Sequence, residues 1–440
     1  MRLIDLEIFN LFGIFNHNIP YNQDERITLL TAPNGYGKTI SLKTIYNLFN
    51  KKFNFFIKLS FDRIIYSFDN NKTIEIIKNN NIIKFTLNED KKVIRSFDYP
   101  SKKLISQIKR GMPSSRLEEY VPPFIQRIGR DEWLNELTNE VLTFEEVIYQ
   151  FSEYLPEHII KQYDVEIPKE FLLILDSLQV YFIQEQRLVL RQAISDRNFK
   201  REVVITDTIE KYSNELSILI QQKIGEYAQI TQELDSSFPK RLFQETINDE
   251  NITDLKKRLT FRQEKSYKIS KYGLLKLDED SFFKEEDIND SEAKMLSLYI
   301  SDSEKKLSVF DSLIDRIEIF TKILNERRFN FKSIEIDKEK GFIFKTDNNT
   351  PLNLTDLSSG EQHEVVILFE LLFKVQKNSM VLIDEPEISL HVVWQKAFLN
   401  DIQEIIDLQK IDVVIATHSP QIINDRWDLT VNLEDSVIGK

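Results

Sequence analysis

A chain of 440 residues has room for two or three domains of ordinary size, and with 41% hydrophobic and 29% charged residues it can bury a core. It carries no cysteine, which excludes disulfides, thiol nucleophiles and cysteine metal sites and suits a reducing cytoplasm. The net charge of −13 does not advertise nucleic-acid binding, and no apolar run approaches the roughly 18 residues of a membrane helix.

The first residues, MRLIDLEIFN, alternate charged and apolar positions. They read as a half-buried strand over 2–9, not as a secretory leader, and 18–21 begin a second strand. The short apolar run 27–30 stops at Ala32-Pro33, and a helical pattern starts at Lys38, which predicts strand, loop, helix. From about 56 to 97, β-branched stretches are separated by Asn- and Asp-rich turns, the pattern of an antiparallel meander. Residues 101–175 read as mainly helical, and 180–183 as a buried strand. A polar helical region over 201–329 reads as two helices joined through Pro239, forming an arm. Two strands are expected over 331–345, and thereafter helix and buried strand alternate. The ends of the chain thus form one α/β unit split by an insertion. This divides the chain into 1–200, 201–329 and 330–440.

Only 10 glycines occur, and three of them (Gly35, Gly37, Gly360) fall in short polar motifs. In the first, Ala32 to Thr39 (APNGYGKT), glycines let a loop close on an anion while a helix N-terminus adds its dipole. Asn34, Gly35, Tyr36 and Gly37 are the cradle, Lys38 reaches the β- and γ-phosphates, and Thr39 ligates Mg²⁺. The usual first glycine is Ala32, tolerable if its torsion is not left-handed. In the second motif, VLIDEPE, an apolar strand ends in Asp384, suited to Mg²⁺, and Glu385, suited to orient or deprotonate the attacking water. The third, LSSGEQ at 357–362, opens a helix: a plain N-cap, or a phosphate contact through Ser358 and Gly360 to a nucleotide on another subunit. The fourth, ATHSP, puts His418 at a strand end, where a ring nitrogen can meet a γ-phosphate.

In chain order (phosphate loop, Ser-Ser-Gly helix start, acidic strand end, histidine strand end) the four motifs resemble the Walker A, signature, Walker B and switch-histidine elements of ABC-type ATPases of the SMC, Rad50 and RecF group. The resemblance covers about 1–60, 180–190 and 330–425. It implies an α/β fold: a split ABC-type P-loop head with an antiparallel meander and an inserted helical arm. It also implies Mg²⁺-dependent ATP hydrolysis, catalysed through Glu385, Lys38 and His418, by copies that dimerise head to tail. It adds Gln186 as a third metal partner, with Gln184 as the competitor, and makes 389–391, ahead of Trp394, the loop that meets the partner head. The 323 positions between Gly37 and Gly360 suit an arm-bearing protein, not a transporter subunit.

Within that group, LSSGEQHEVVILFELLF and IDEPEISLHVVWQ look most like the compact anti-phage ATPases, PtuA of Septu and retron systems and AriA of PARIS. The likeness implies a cytoplasmic homodimer or larger homo-oligomer. Its effector would be a separate HNH-type or Toprim-type nuclease, since only 22 residues follow His418 and no intrinsic nuclease domain is expected. The basic stretch 256–276 is a candidate contact for nucleic acid, or merely a solvated helix face. A RecF-like DNA-repair ATPase and an ATP-bound scaffold with little turnover are the competing readings.

Overall fold

The computed structural model describes residues 1–79, 82–99, 117–118, 120–122, 124–129, 132–135, 140–144, 147, 151, 167–183, 189–195, 201–244, 252–276, 290–388 and 390–434. They divide into two units, Met1–Gln184 with Gln376–Glu387 and Gln409–Lys440, and Glu185–Val375 with Ile388–Leu408.

The first unit holds a six-stranded antiparallel sheet in the order β2-β1-β4-β5-β6-β7. Its strands are β1 (Leu3–Leu11), β2 (Phe15–Pro20), β4 (Arg63–Phe68), β5 (Lys72–Asn79), β6 (Ile82–Glu89) and β7 (Lys92–Tyr99). On β1 the buried residues are Leu3, Leu6, Ile8 and Leu11, with odd steps at two places. Both coincide with register shifts, at Leu3/Asp5 against β4 and at Ile8/Leu11 against β2, where a bulge re-aims the apolar face.

A five-stranded parallel sheet, β11-β17-β18-β3-β19, carries the motifs. It comprises β3 (Ile27–Thr31), β11 (Val180–Ile183), β17 (Met380–Asp384), β18 (Asp412–Thr417) and β19 (Thr430–Asn432). Strands β3, β17 and β18 are buried along nearly their whole length, hence their unbroken apolar runs. Register pairs Asp384 with Ala416 and Thr417 with Thr31, so these three strands leave the sheet at one level. Helix α1 (Lys38–Phe49) packs Leu42, Ile45 and Leu48 into the core of this unit, which also holds the short helices α2 (Asn54–Lys58) and α3 (Lys169–Leu175).

Much of 101–175, read as mainly helical, lies outside the described residues; among those described, that reading missed strands. Three short strands, β8 (Ile125–Arg127), β9 (Glu132–Asn135) and β10 (Glu140–Thr143), pair around buried Ile125, Trp133 and Leu142, and helix Lys169–Leu175 follows. Strands of three or four residues are too short for a period of 2 to be told from 3.6.

In the second unit, β12 (Val189–Ser195) and β13 (Arg201–Asp207) form an antiparallel ribbon, so the insertion does not begin as helix at 201. The run Val203 to Thr206 is β-branched and favours strand. Helix α4 (Thr208–Gln244) then runs straight through Pro239, which does not act as a connection. The bond Pro239 removes is the one to the Asp235 carbonyl; one turn earlier, Ser236 and Ser237 donate to the Glu233 carbonyl at 3.0 and 2.9 Å, and Arg241 donates to the Leu234 carbonyl at 2.8 Å. Helices α5 (Ile252–Lys271), α6 (Asp290–Ser308) and α7 (Asp311–Lys322) complete the arm, with Leu255, Leu296 and Ile300 as one seam.

A three-stranded sheet follows, of β14 (Lys332–Asp337), β15 (Gly341–Thr346) and β16 (Pro351–Leu352). Helix α8 (Ser359–Phe369) buries Phe369 against Tyr212, Phe320 and Phe342. Arg328 is fully buried between Glu364 and Asp401, and Arg327 pairs with Asp401 and Glu404, joining α8 to α9 (Val392–Gln409). Among the described residues no helix is long and apolar enough to cross a membrane.

Candidate functional site

The loop after β3 turns on its glycines. Gly35 and Gly37 have φ of +89° and +86°, which residues with a Cβ rarely adopt, whereas Ala32 is not left-handed. A side chain at Gly37 would also meet Leu11 Cδ2 at 3.0 Å and His17 Nε2 at 3.2 Å. Gly37 is the N-cap of α1 with no side-chain cap, and the first turn holds no acid, which keeps this helix start open to an anion. Asn34 and Gly35 are exposed, and the Tyr36 ring lies 5.4 Å from Phe15. Lys38 is only 5% exposed, and its Nζ donates to the carbonyls of Ala32 at 2.7 Å and Pro33 at 3.3 Å.

Beneath the loop lies His17, which no linear spacing marks. It stacks on Phe15 at 5.5 Å, and neither ring nitrogen makes a hydrogen bond of normal geometry. Burial pushes its pKa down to about 4, with the Tyr36 backbone working against that.

At the end of β17, Asp384 accepts a hydrogen bond of 3.0 Å from the Thr39 hydroxyl. Burial raises the Asp384 pKa, and Glu385 adds to this, while Thr39, Lys43 and Lys38 oppose it. Glu385 stands at φ 45°, a left-handed torsion without glycine's freedom, with its N–H donating to the Ala416 carbonyl at 2.9 Å. Such a torsion costs on the order of 1 kcal/mol and clusters at functional sites. His418 Nδ1 lies 3.7 Å from a Glu385 oxygen and 3.4 Å from a Glu387 oxygen. Lys38, Thr39, Asp384, Glu385 and His418 therefore gather at one edge of the parallel sheet, within one unit. Glu387, to which the sequence assigns no role, accepts from Thr417 Oγ1 at 2.8 Å and from the His418 N–H at 2.9 Å. Its only sequence signal is a third acid two positions after Glu385.

The signature residues lie in the second unit. Ser358 is exposed and forms a capping box with Glu361: its N–H donates to the Glu361 carboxylate at 2.9 Å and its hydroxyl accepts from the Glu361 N–H. Burial works to raise the Glu361 carboxyl, but Lys332 and the Ser358 N–H and hydroxyl outweigh it and hold the group below its ordinary value. Gly360 is half-buried in the first turn. Exposed His391 packs near Trp394, with ring centroids 5.8 Å apart. Along α5, Arg258 pairs with Glu304 at 2.6 Å and Lys268 with Glu318 at 3.3 Å. Lys265 pairs with Asp311, and Arg262 lies over Tyr299. Gln184, Gln186 and Ser389 lie outside the described residues.

The donor set fits Mg²⁺ with a triphosphate. One hydroxyl and one carboxylate are hard oxygen ligands, and a buried carboxylate whose pKa is raised gains from a cation beside it. The Lys38 ammonium, hydrogen-bonded to the Ala32 and Pro33 carbonyls, is the natural counter-charge to phosphate.

A glycine loop between a buried parallel strand and a helix, facing an acidic strand end, is the arrangement of a P-loop nucleotide-binding domain. The chain belongs to the family described as "AAA domain, putative AbiEii toxin, Type IV TA system", whose model matches residues 186–424, more than half of it. Protein ea59 of Escherichia phage lambda is 32% identical over 123 residues, which is 28% of this chain and 23% of that protein; the match spans under a quarter of the relative's length. Among solved structures, the Smc head domain with an extended coiled coil bound to the C-terminal domain of ScpA, from Pyrococcus furiosus, is 14% identical. Its TM-score is 0.34, with 99% of this chain and 95% of that chain covered. An Smc head bound to the C-winged helix domain of ScpA is 10% identical, with a TM-score of 0.35 and 96% and 91% covered.

Proposed function

We propose that this chain is an ATP-dependent switch that binds and hydrolyses ATP with Mg²⁺, closes as a head-to-tail homodimer or larger homo-oligomer, and controls a separate effector. The observation that carries the reading is the Thr39–Asp384 contact, which joins the loop and the acidic strand end at one sheet edge. Backbone N–H groups of the loop would take phosphate oxygens. Lys38 would exchange its bonds to two neutral carbonyls for bonds to phosphate oxygens, in which donor and acceptor are both charged. Mg²⁺, held by Thr39 and Asp384, and by Gln186 on the resemblance alone, would screen the phosphate charge. Glu385 would orient and deprotonate the attacking water, and His418 would meet the γ-phosphate.

Ser358 and Gly360 of a second copy would close the site. Freeing the Ser358 hydroxyl from its capping box costs about 1 kcal/mol, which a bond to a charged oxygen of about 1.5–3 kcal/mol offsets. ATP would then stabilise the closed pair, and hydrolysis would weaken it.

The family description names a toxin of a toxin–antitoxin system, and one relative is a phage protein. The toxin of the family description is in keeping with a role in anti-phage defence; the HNH-type or Toprim-type nuclease as effector rests on the sequence resemblance, and the cytoplasm on a cysteine-free chain. Direct DNA binding through 256–276 has less support, because several of those cations already face acids. The test is ATP turnover and binding by two variants. Lys38→Ala should lose nucleotide binding, and Glu385→Gln should bind ATP while turning it over about 10²–10⁴-fold more slowly. Wild-type behaviour in both would end the proposal.

A further inference from the structure

We infer that Glu387 is a positioning residue for the histidine loop, fixing His418 through both its backbone and its ring. The inference rests on the ATPase reading above and adds to it a residue that the reading does not use. Three contacts converge on one carboxylate oxygen of Glu387: the Thr417 hydroxyl at 2.8 Å, the His418 N–H at 2.9 Å, and the His418 Nδ1 at 3.4 Å, within ion-pair reach. The side chain is 7% exposed, whereas the His418 side chain is 45% exposed. The carboxylate is thus the buried, fixed partner, and the imidazole is the group presented to a ligand.

Chain connectivity gives this contact its meaning. Glu387 sits in the single turn Pro386–Ile388, two residues after Glu385, while His418 follows the neighbouring strand β18. The two turns are tied twice, by the Glu385 N–H to the Ala416 carbonyl at 2.9 Å and by Glu387 to Thr417 and His418. With Nδ1 turned toward the carboxylates, Nε2 is the nitrogen left to face a phosphate. A carboxylate that orients an imidazole in this way typically changes activity 10- to 100-fold when removed. The loop backbone and the ring move together because one side chain holds both.

The experiment measures steady-state ATP turnover of Glu387→Ala, Glu387→Gln, His418→Ala and the Glu387→Ala/His418→Ala double variant, with Glu385→Gln alongside. Glu387→Ala should lower kcat about 10- to 100-fold with KM within about 3-fold of wild type. Glu387→Gln, which keeps an acceptor for the Thr417 and His418 donors, should recover part of the loss. Adding Glu387→Ala to His418→Ala should change kcat less than about 2-fold, since the residue acts through the histidine. A structural role alone would instead lower the melting temperature and give a loss that adds fully to that of His418→Ala. Wild-type kcat in the Glu387 variants or in His418→Ala, or full additivity, overturns the inference. Should Glu387→Ala not fold, the Glu387→Gln value and its cycle with His418→Ala decide. Normal turnover in Glu385→Gln would remove the ATPase reading itself. A dead Glu385→Gln beside unaffected Glu387 variants removes only the positioning role.

Discussion

Thr39 and Asp384 are 345 positions apart in the chain and joined by a 3.0 Å hydrogen bond from hydroxyl to carboxylate. Because burial raises the Asp384 pKa, this carboxylate is costly to keep charged without a cation. Asp384→Asn keeps the shape and an acceptor for Thr39 but removes the charge. It should lower ATP turnover at least about 100-fold and raise the nucleotide-free melting temperature by on the order of 2 °C. Phosphate release and thermal unfolding of the same preparation check both halves. A variant that loses activity and stability together would show Asp384 to be structural.

Acid stability should divide between buried His17 and half-buried Asp5, which act with opposite sign. His17 has a folded pKa near 4, below its ordinary 6.5, so between those values the unfolded chain binds a proton that the folded chain refuses. Stability therefore falls from pH 6.5 to 4, by up to about 3 kcal/mol. Asp5, raised from 3.8 to about 6 by burial and then by Glu7, acts oppositely: the folded form holds its proton, so stability is lost as pH rises through 6. Melting curves from pH 8 to 4.5 should flatten on the acid side for His17→Asn. Asp5→Asn should gain stability at pH 8 and only about a third as much at pH 4.5.

Two glycines in the second unit should respond in opposite directions to alanine. Gly341 has φ +85°, and a Cβ there would lie 1.8 Å from the Ser213 carbonyl oxygen, in the turn that Ser213 binds through Lys340 O at 2.6 Å and Phe342 O at 2.9 Å. Gly341→Ala should cost more than about 2 kcal/mol. Gly225 lies inside α4 with nothing within 4 Å of its added Cβ, so Gly225→Ala should stabilise by about 0.5–1 kcal/mol. Denaturant midpoints measure both.

What was legible in the sequence followed from local chemistry. Apolar runs bounded by turn residues located β3, β17 and β18, and the scarcity of glycine directed attention to Gly35 and Gly37, both left-handed. Alternation located β1 in outline but could not place its bulges, because those depend on its neighbours. Pro239 reads as a break because its cost is local, yet it takes away only the bond to the Asp235 carbonyl, and the other turns of the 37-residue helix carry it through. His17 and Glu387 escaped for the same reason: each matters through a partner distant in sequence, Gly37 in one case and His418 in the other.

The central claim is that two copies close around ATP, and the mass of Glu385→Gln in solution tests it most directly. Light scattering with and without Mg²⁺-ATP should show an ATP-dependent rise to a dimer or a larger even assembly. Adding Ser358→Arg, which crowds the exposed start of α8, should abolish that rise and leave ATP binding intact. A Glu385→Gln protein that binds ATP at unchanged mass, or a rise that survives Ser358→Arg, would contradict the account.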